Sequence, residues 1–289
     1  MRALAEFVMR GRMQATLVVV AAAVLQPLFW LGAAAGSLVL LRRGPRDAFG
    51  ILAWALLPAL AWWYLGDPSV SLVLVGSAVL AQVLRSKVSW NQVMLASVVL
   101  GAVFVLLLST VSAGLVAGLA DAFGKALPQV LAEAKLSPEQ MAALQAEMVP
   151  TITGLMAASL QTISLLCLML ARYWQAVLFN PEGFGREFRA LRLSPSTAVA
   201  LLVGVVALPF AGPAATMLAP LCMIPLLFAG IALGHGLAAL KKLPGFWLAP
   251  LYLLVFVLGN VICLVAVVDS LFDFRGRLAK RQKAANGEG

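Results

Sequence analysis

Charge is nearly missing from the long apolar stretches of this 289-residue chain, and that absence excludes more than any motif could. Only 11% of its residues are Asp, Glu, Lys or Arg, under half the share of about 25% in an ordinary globular domain. Ionisable groups within membrane segments are the usual markers of ion and proton pathways, because burying them is costly. His235 is the only one lying inside an apolar run away from its ends, which disfavours ion-coupled transport. Cysteine is scarce as well. Cys167, Cys222 and Cys263 stand singly in apolar runs with no CxxC spacing, so disulfides and a metal site are not expected. They read as small apolar packing residues. GxSxG, HExxH, Walker A and GxGxxG are all missing, so neither an enzyme nor a bound cofactor is expected.

Strict apolar and polar alternation over ten-residue stretches is absent too, which removes a membrane β-barrel. What the chain does have is 62% apolar residues and a mean hydropathy of +0.98. Lipid-exposed backbone must pair internally, so long runs of Leu, Ala and Val in such a chain form helices. The expected fold class is an all-α polytopic transmembrane bundle. Its eight apolar segments lie near 15–41, 48–66, 69–84, 92–119, 150–171, 196–211, 214–239 and 245–270. The start resembles a signal peptide, but the apolar run is about twice a typical h-region and reads as a retained segment.

Nineteen of the 21 Lys and Arg fall in six clusters between these segments. The clusters are Arg2/Arg10/Arg12, Arg42/Arg43/Arg46, Arg85/Lys87, Arg172/Arg186/Arg189/Arg192, Lys241/Lys242 and the tail from Arg275 to Lys283. The positive-inside rule places all six in the cytoplasm, with both termini. That side then holds nineteen positives against seven acids, and the far side two against five. The net +9 is accordingly assigned to topology and anionic headgroups, not to nucleic acid.

Parity requires 15–41 and 245–270 to turn back; if either crosses instead as a single tilted helix, one basic cluster falls on the far side. Gln26-Pro27 is the expected turn of the first, since proline breaks a helix there, and Gly259-Asn260 that of the last. The expected organisation is a six-crossing bundle over 1–180 with a far-side amphipathic insert at 120–149. A cytoplasmic interfacial loop at 181–195, transmembrane segments over 196–270 and a basic tail at 271–289 follow. Within the insert, Ser137-Pro138-Glu139-Gln140 reads as a helix start with a capping box, and Met141, Leu144 and Met148 form one apolar stripe. That helix reads either as lying on the membrane surface or as a lid over a pocket.

The polar residues within apolar segments are Gln26, Gln161, His235 and Asn260, and these are the candidate ligand-binding residues. Each must find a partner, because lipid offers none. Small-xxx-small spacings at Gly32/Gly36, Gly114/Gly118 and Gly230/Gly234 predict close helix approach. On the cytoplasmic face, Phe184, Phe188 and Leu191 share helical spacing, with Tyr173 and Trp174 expected at headgroup level. Trp174, Phe184, Phe188, Arg189, Arg192, Asp273 and Arg275 are the candidate interface residues. Asp273 is expected to pair locally with Arg275 or Arg277.

Three stretches carry a family resemblance. The 172–192 stretch has Trp174-Gln175, Asn180-Pro181-Glu182-Gly183-Phe184 and Glu187-Phe188-Arg189-Ala190-Leu191-Arg192. The others are 230–242 and 269–277, the latter with Asp273-Phe274-Arg275 at its core. In these the chain resembles the YybS-like family of uncharacterised bacterial inner-membrane proteins. That family is distantly similar in fold to the substrate-binding S components of energy-coupling-factor vitamin transporters, a likeness met here at Leu38-Val39-Leu40-Leu41-Arg42-Arg43-Gly44. The chain departs from that pattern in the 120–149 insert and in everything after 196, and no vitamin-binding residues carry over. The resemblance implies a bacterial inner-membrane protein that binds or transports a small molecule. Related cell-shape scaffolds share the fold, so the alternative is a scaffold or assembly factor docking a membrane or cytoplasmic protein through its loop and tail.

Overall fold

A computed structural model describes residues 1–130 and 137–285, and all the regular elements among them are helical. Glu133, Lys135 and Glu288 of the charge partition lie outside the described residues. The first half comprises α1 (Arg2–Arg10), α2 (Arg12–Val24), α3 (Phe29–Arg43), α4 (Pro45–Tyr64), α5 (Ser69–Lys87), α6 (Trp90–Thr110) and α7 (Ala113–Val130). After it come α8 (Pro138–Phe179), α9 (Gly183–Ala190), α10 (Pro195–Ala207), α11 (Pro213–Thr216), α12 (Ala219–Leu240), α13 (Leu248–Val257), α14 (Gly259–Phe272) and α15 (Phe274–Ala285). Among the described residues five helical stretches are long and apolar enough to cross a bilayer, or seven if two bent pairs each count as a span. A shorter apolar helix, Arg12–Val24, accompanies them, and the set is compatible with a membrane protein.

The break in the first segment falls where proline put it. Leu25 ends α2, a single 3-10 turn covers Gln26–Leu28, and α3 follows. The two helices then run back along each other. A Cβ on Gly32 would stand 3.0 Å from both Ala22 Cβ and Val19 O, so any side chain there would push the two helices apart by a few tenths of an ångström. At 13 and 15 residues the arms are about 20 and 22 Å long, short of the hydrocarbon thickness of about 30 Å. α3 lies at the centre, with every residue from Gly32 to Leu41 buried. It packs on α2, α4, α5 and α8. Its small Ala33, Ala34 and Ala35, all buried, let those neighbours close in.

The basic clusters meet at one end of the bundle. Arg12 pairs with Asp47, and Arg43 donates to Met9 O. Arg85 donates to Leu41 O at 2.6 Å, while the Arg42 guanidinium sits 4.2 Å from the Phe179 ring centroid. The acidic turns gather at the opposite end, where Gln26 Nε2 donates to Asp67 at 2.6 Å and Trp63 Nε1 to Ser112 Oγ at 3.2 Å. Arg42 and Arg43 close α3, and Arg85 and Lys87 close α5, where cations favour the negative end of the helix dipole.

Two expectations for the middle of the chain need correction. The run 92–119 is interrupted at Val111–Ser112, where α6 stops and α7 begins. Ser137 and Gln140 do form the expected capping box, but the helix they start does not end before 150. It continues through Pro150 to Phe179, 42 residues or about 63 Å, so 138–149 is the projecting end of one long helix and not a separate surface helix.

In the second half, α10 runs away from the basic end, turns at Gly212 and returns as α12. α14 runs the same way as α12, since Gly259 faces Met223 and Leu227 while Gly236 faces Arg275. The connection must therefore climb back, and α13 does so at 111° to α14, breaking at Leu258, one residue before the expected turn. The small-residue spacings divide. Gly230 and Gly234 abut Ile262 and Leu251, but Gly114 and Gly118 meet nothing within 4 Å.

Candidate functional site

The four candidate ligand residues do not converge. Gln26 is spent on Asp67 at the far-end turns, and Asn260 is exposed in the first turn of α14. Gln161 is buried in mid-bundle, where its Nε2 donates to Ser97 Oγ at 3.0 Å and to Leu221 O at 3.3 Å. It thus ties α6, α8 and α12 together, as a polar cross-link does where water is absent. His235 borders a cavity.

That cavity, of about 1040 Å³, is a lateral groove at the basic end. Leu166, Met169, Leu170, Tyr173 and Val177 of α8 form one wall, Phe228, Ile231 and His235 of α12 the other. Phe184, Phe188 and Arg189 of α9 close the basic end, with Arg2 nearby, and Tyr252 of α13 flanks the opening. From Leu166 to Val177 the wall is about 16 Å long. Its body is apolar and its polar groups gather at one mouth, the pattern of a site that grips a chain and orients a head.

An aromatic row lines that mouth. Ring centroids are separated by 6.3 Å for Trp90–Phe184 and for Tyr173–Phe184, and by 5.9 Å for Phe184–Phe188. The row continues with 5.4 Å for Phe188–His235 and 5.9 Å for His235–Tyr252, where Nε2 and the Tyr252 hydroxyl share a 2.9 Å hydrogen bond. These spacings lie within the roughly 4.5–7 Å of favourable ring pairs.

Two clamps hold α9 in place. Arg172 grips Glu187 through two hydrogen bonds, its Nε at 3.0 Å, and Trp90 Nε1 donates to the same carboxylate at 3.4 Å. Arg275 donates to Arg189 O at 2.6 Å and Leu191 O at 3.0 Å, so it caps the last carbonyls of α9. Its other partner is Asp269 at 2.8 Å, a side chain only 2% exposed.

These contacts revise the expected interface. Trp174 is buried in the bundle with no partner for its Nε1, while Tyr173 next to it faces outward. Neighbours on a helix point about 100° apart, so only one could reach the headgroup level. Phe184 and Phe188 face the groove instead of solution. Asp273 pairs with Arg192, not with Arg275 or Arg277. Trp90, Glu187, Asp269 and Tyr252 were not singled out from the sequence. Asp269, a carboxylate closing an apolar run, and Tyr252, a lone hydroxyl within one, were the available signals.

Partial desolvation acts to raise the Asp273 carboxyl, but the Gly276 N–H, the charge and hydrogen bond of Arg192 and the charge of Arg275 outweigh it and hold it below the usual carboxylate range. A lowered folded-state pKa stabilises above the unfolded value of about 3.9, and that gain is lost as pH falls through the lowered one. Asp273→Asn should therefore melt below the parent at pH 5 to 7, with the gap closing only as pH falls through the lowered value, read as detergent thermal unfolding against pH.

Among the described residues no three of His, Cys, Asp and Glu converge on one point. The three cysteines are buried apart from one another. Comparison with family models, curated proteins and solved structures gives no match for this chain.

Proposed function

We propose that this chain is a membrane-embedded binding or transport component for an amphipathic small molecule held in the groove between α8, α9, α12 and α13. The observation that carries this reading is the groove itself: about 1040 Å³, apolar along one stretch and polar at one mouth. Ligand cavities are commonly about 300–1000 Å³ and mostly apolar with a few convergent polar groups. Sequence reasoning would put the ligand inside the 15–171 bundle, but α3 fills that interior. The basic end faces the cytoplasm in this reading, in a bacterial inner membrane, supported by the gathering of basic clusters there. S-component-like or YybS-like kinship is compatible with the alternating first helices. Docking of a partner protein through the loop is less favoured, because Phe184 and Phe188 are turned inward.

Ile231→Trp fills the groove and tests the reading. Purified in nanodiscs from its own membrane, the parent chain should carry a stoichiometric amphiphile in native mass spectra, and the variant should lose it. Equal spectra for the two, or no bound species in either, would sink the proposal.

A further inference from the structure

A second cavity adjoins the groove. It holds about 780 Å³ and is lined by Arg186, Arg189, Arg192 and Arg275, with Asp273 the only acid among the described residues that line it. Arg189 borders both cavities, so the bowl continues the groove's polar mouth. The floor includes Gly236, where a Cβ would stand 3.0 Å from Arg275 Cδ and 3.1 Å from Arg189 O, so the glycine keeps the bowl open to bare backbone.

The arginines are not equivalent. Arg275 is committed to Asp269 and two carbonyls, and Arg192 to Asp273. Glu187, which could have served Arg186 or Arg189 from the same helix, is taken by Arg172 and Trp90. Glu182 lines the apolar groove and not the bowl. Among the described residues, the Arg186 and Arg189 guanidinium groups have no carboxylate partner. Two uncompensated guanidiniums beside an apolar channel call for a ligand with two negative charges at the end of a chain. Guanidinium is the side chain best matched to phosphate, by paired N–H···O bonds.

We infer that the amphiphile is a long-chain phosphate monoester, its chain in the groove and its phosphate between Arg186 and Arg189. This rests on the proposed function and adds the chemistry of the headgroup. It also accounts for why the bowl lies at the end of the chain that carries the basic clusters, where headgroup phosphates of that leaflet would sit.

The test measures binding to the detergent-solubilised full chain by titration calorimetry. The probes are 1-oleoyl lysophosphatidate, monooleoylglycerol with the same chain and no charge, and inorganic phosphate. The phosphate amphiphile should bind at least about tenfold tighter than the neutral one, given the strength of charge-assisted pairs. Arg186→Gln with Arg189→Gln should erase that preference, so that the charged and neutral amphiphiles bind alike; both residues are exposed, so the fold is not at stake. Equal binding of the two amphiphiles, or a preference that survives the double substitution, overturns the headgroup assignment while the groove stands. Inorganic phosphate binding as tightly as lysophosphatidate also overturns it, since the bowl would then serve a soluble anion. Binding of neither amphiphile overturns the proposed function and this inference together.

Discussion

Arg275→Met is expected to cost about 3–5 kcal/mol, the range for breaking one partner out of a buried ion pair. The reason is what it leaves behind. Asp269 is 2% exposed and Arg275 11%, so the orphaned carboxylate has no water to turn to. The carbonyls of Arg189 and Leu191 lose their donor at the same time, which frees the C-terminal end of α9. Because α9 closes the groove's mouth, ligand retention should fall along with stability. The double variant Asp269→Leu with Arg275→Met should recover most of the loss, since replacing a buried pair by apolar residues is often neutral. Unfolding in mixed micelles measures both. A loss below about 1 kcal/mol in the single variant would mean that the pair is effectively solvated, as exposed pairs are.

Why this clamp was not legible shows where sequence reading stops in such a chain. Asp273-Phe274-Arg275 put an acid two residues from a base, and the cheapest inference was a local pair. Asp273 instead adopts a left-handed conformation at φ 50° as α14 ends, which turns the chain so that Arg275 points back to Asp269. The partner choice is set by that turn and by burial, and neither has a one-dimensional signature. The same holds for Trp174. A tryptophan beside a tyrosine near a helix end suits the interface, and only the packing of α8 decides which of the two goes inside.

Legible features were those where local chemistry has one physical outcome. Proline at 27 has no N–H to continue α2, so the chain breaks there. Ser137, Pro138 and Gln140 satisfy the orphan donors of a helix start wherever they fall, and they did so, although how far α8 would run was not inferable. Gly32 and Gly230 make close approaches, whereas Gly114 and Gly118, with the same spacing, face open space. Spacing reveals that an approach is affordable, not that a neighbour exists. Gln161 was readable as a residue needing a partner, but not as the link to Leu221 O, because α12 lies 60 residues further on. The groove was wholly unreadable: its walls are ordinary apolar helix faces of α8 and α12, brought together by tertiary packing that has no local signature.

Orientation yields the other all-or-none result. In a background lacking the three native cysteines, Glu139→Cys at the projecting start of α8 should react with a membrane-impermeant maleimide on intact cells. Lys87→Cys, at the basic end of α5, should react only after lysis. Both positions are exposed. The decisive pair is Lys241→Cys and Lys280→Cys, which flank the segment 245–270. A single tilted crossing would put them on opposite sides of the membrane. The structure instead sends α13 up and α14 back, with Leu251 beside Gly234 and Arg275 beside Gly236. Both cysteines should therefore label only from inside. If Lys280→Cys labels from outside, α13 and α14 form one bent span and the tail's basic residues face away from the other five clusters. That outcome would break the charge asymmetry that orients the whole chain, because five positives would then move to the side that held two.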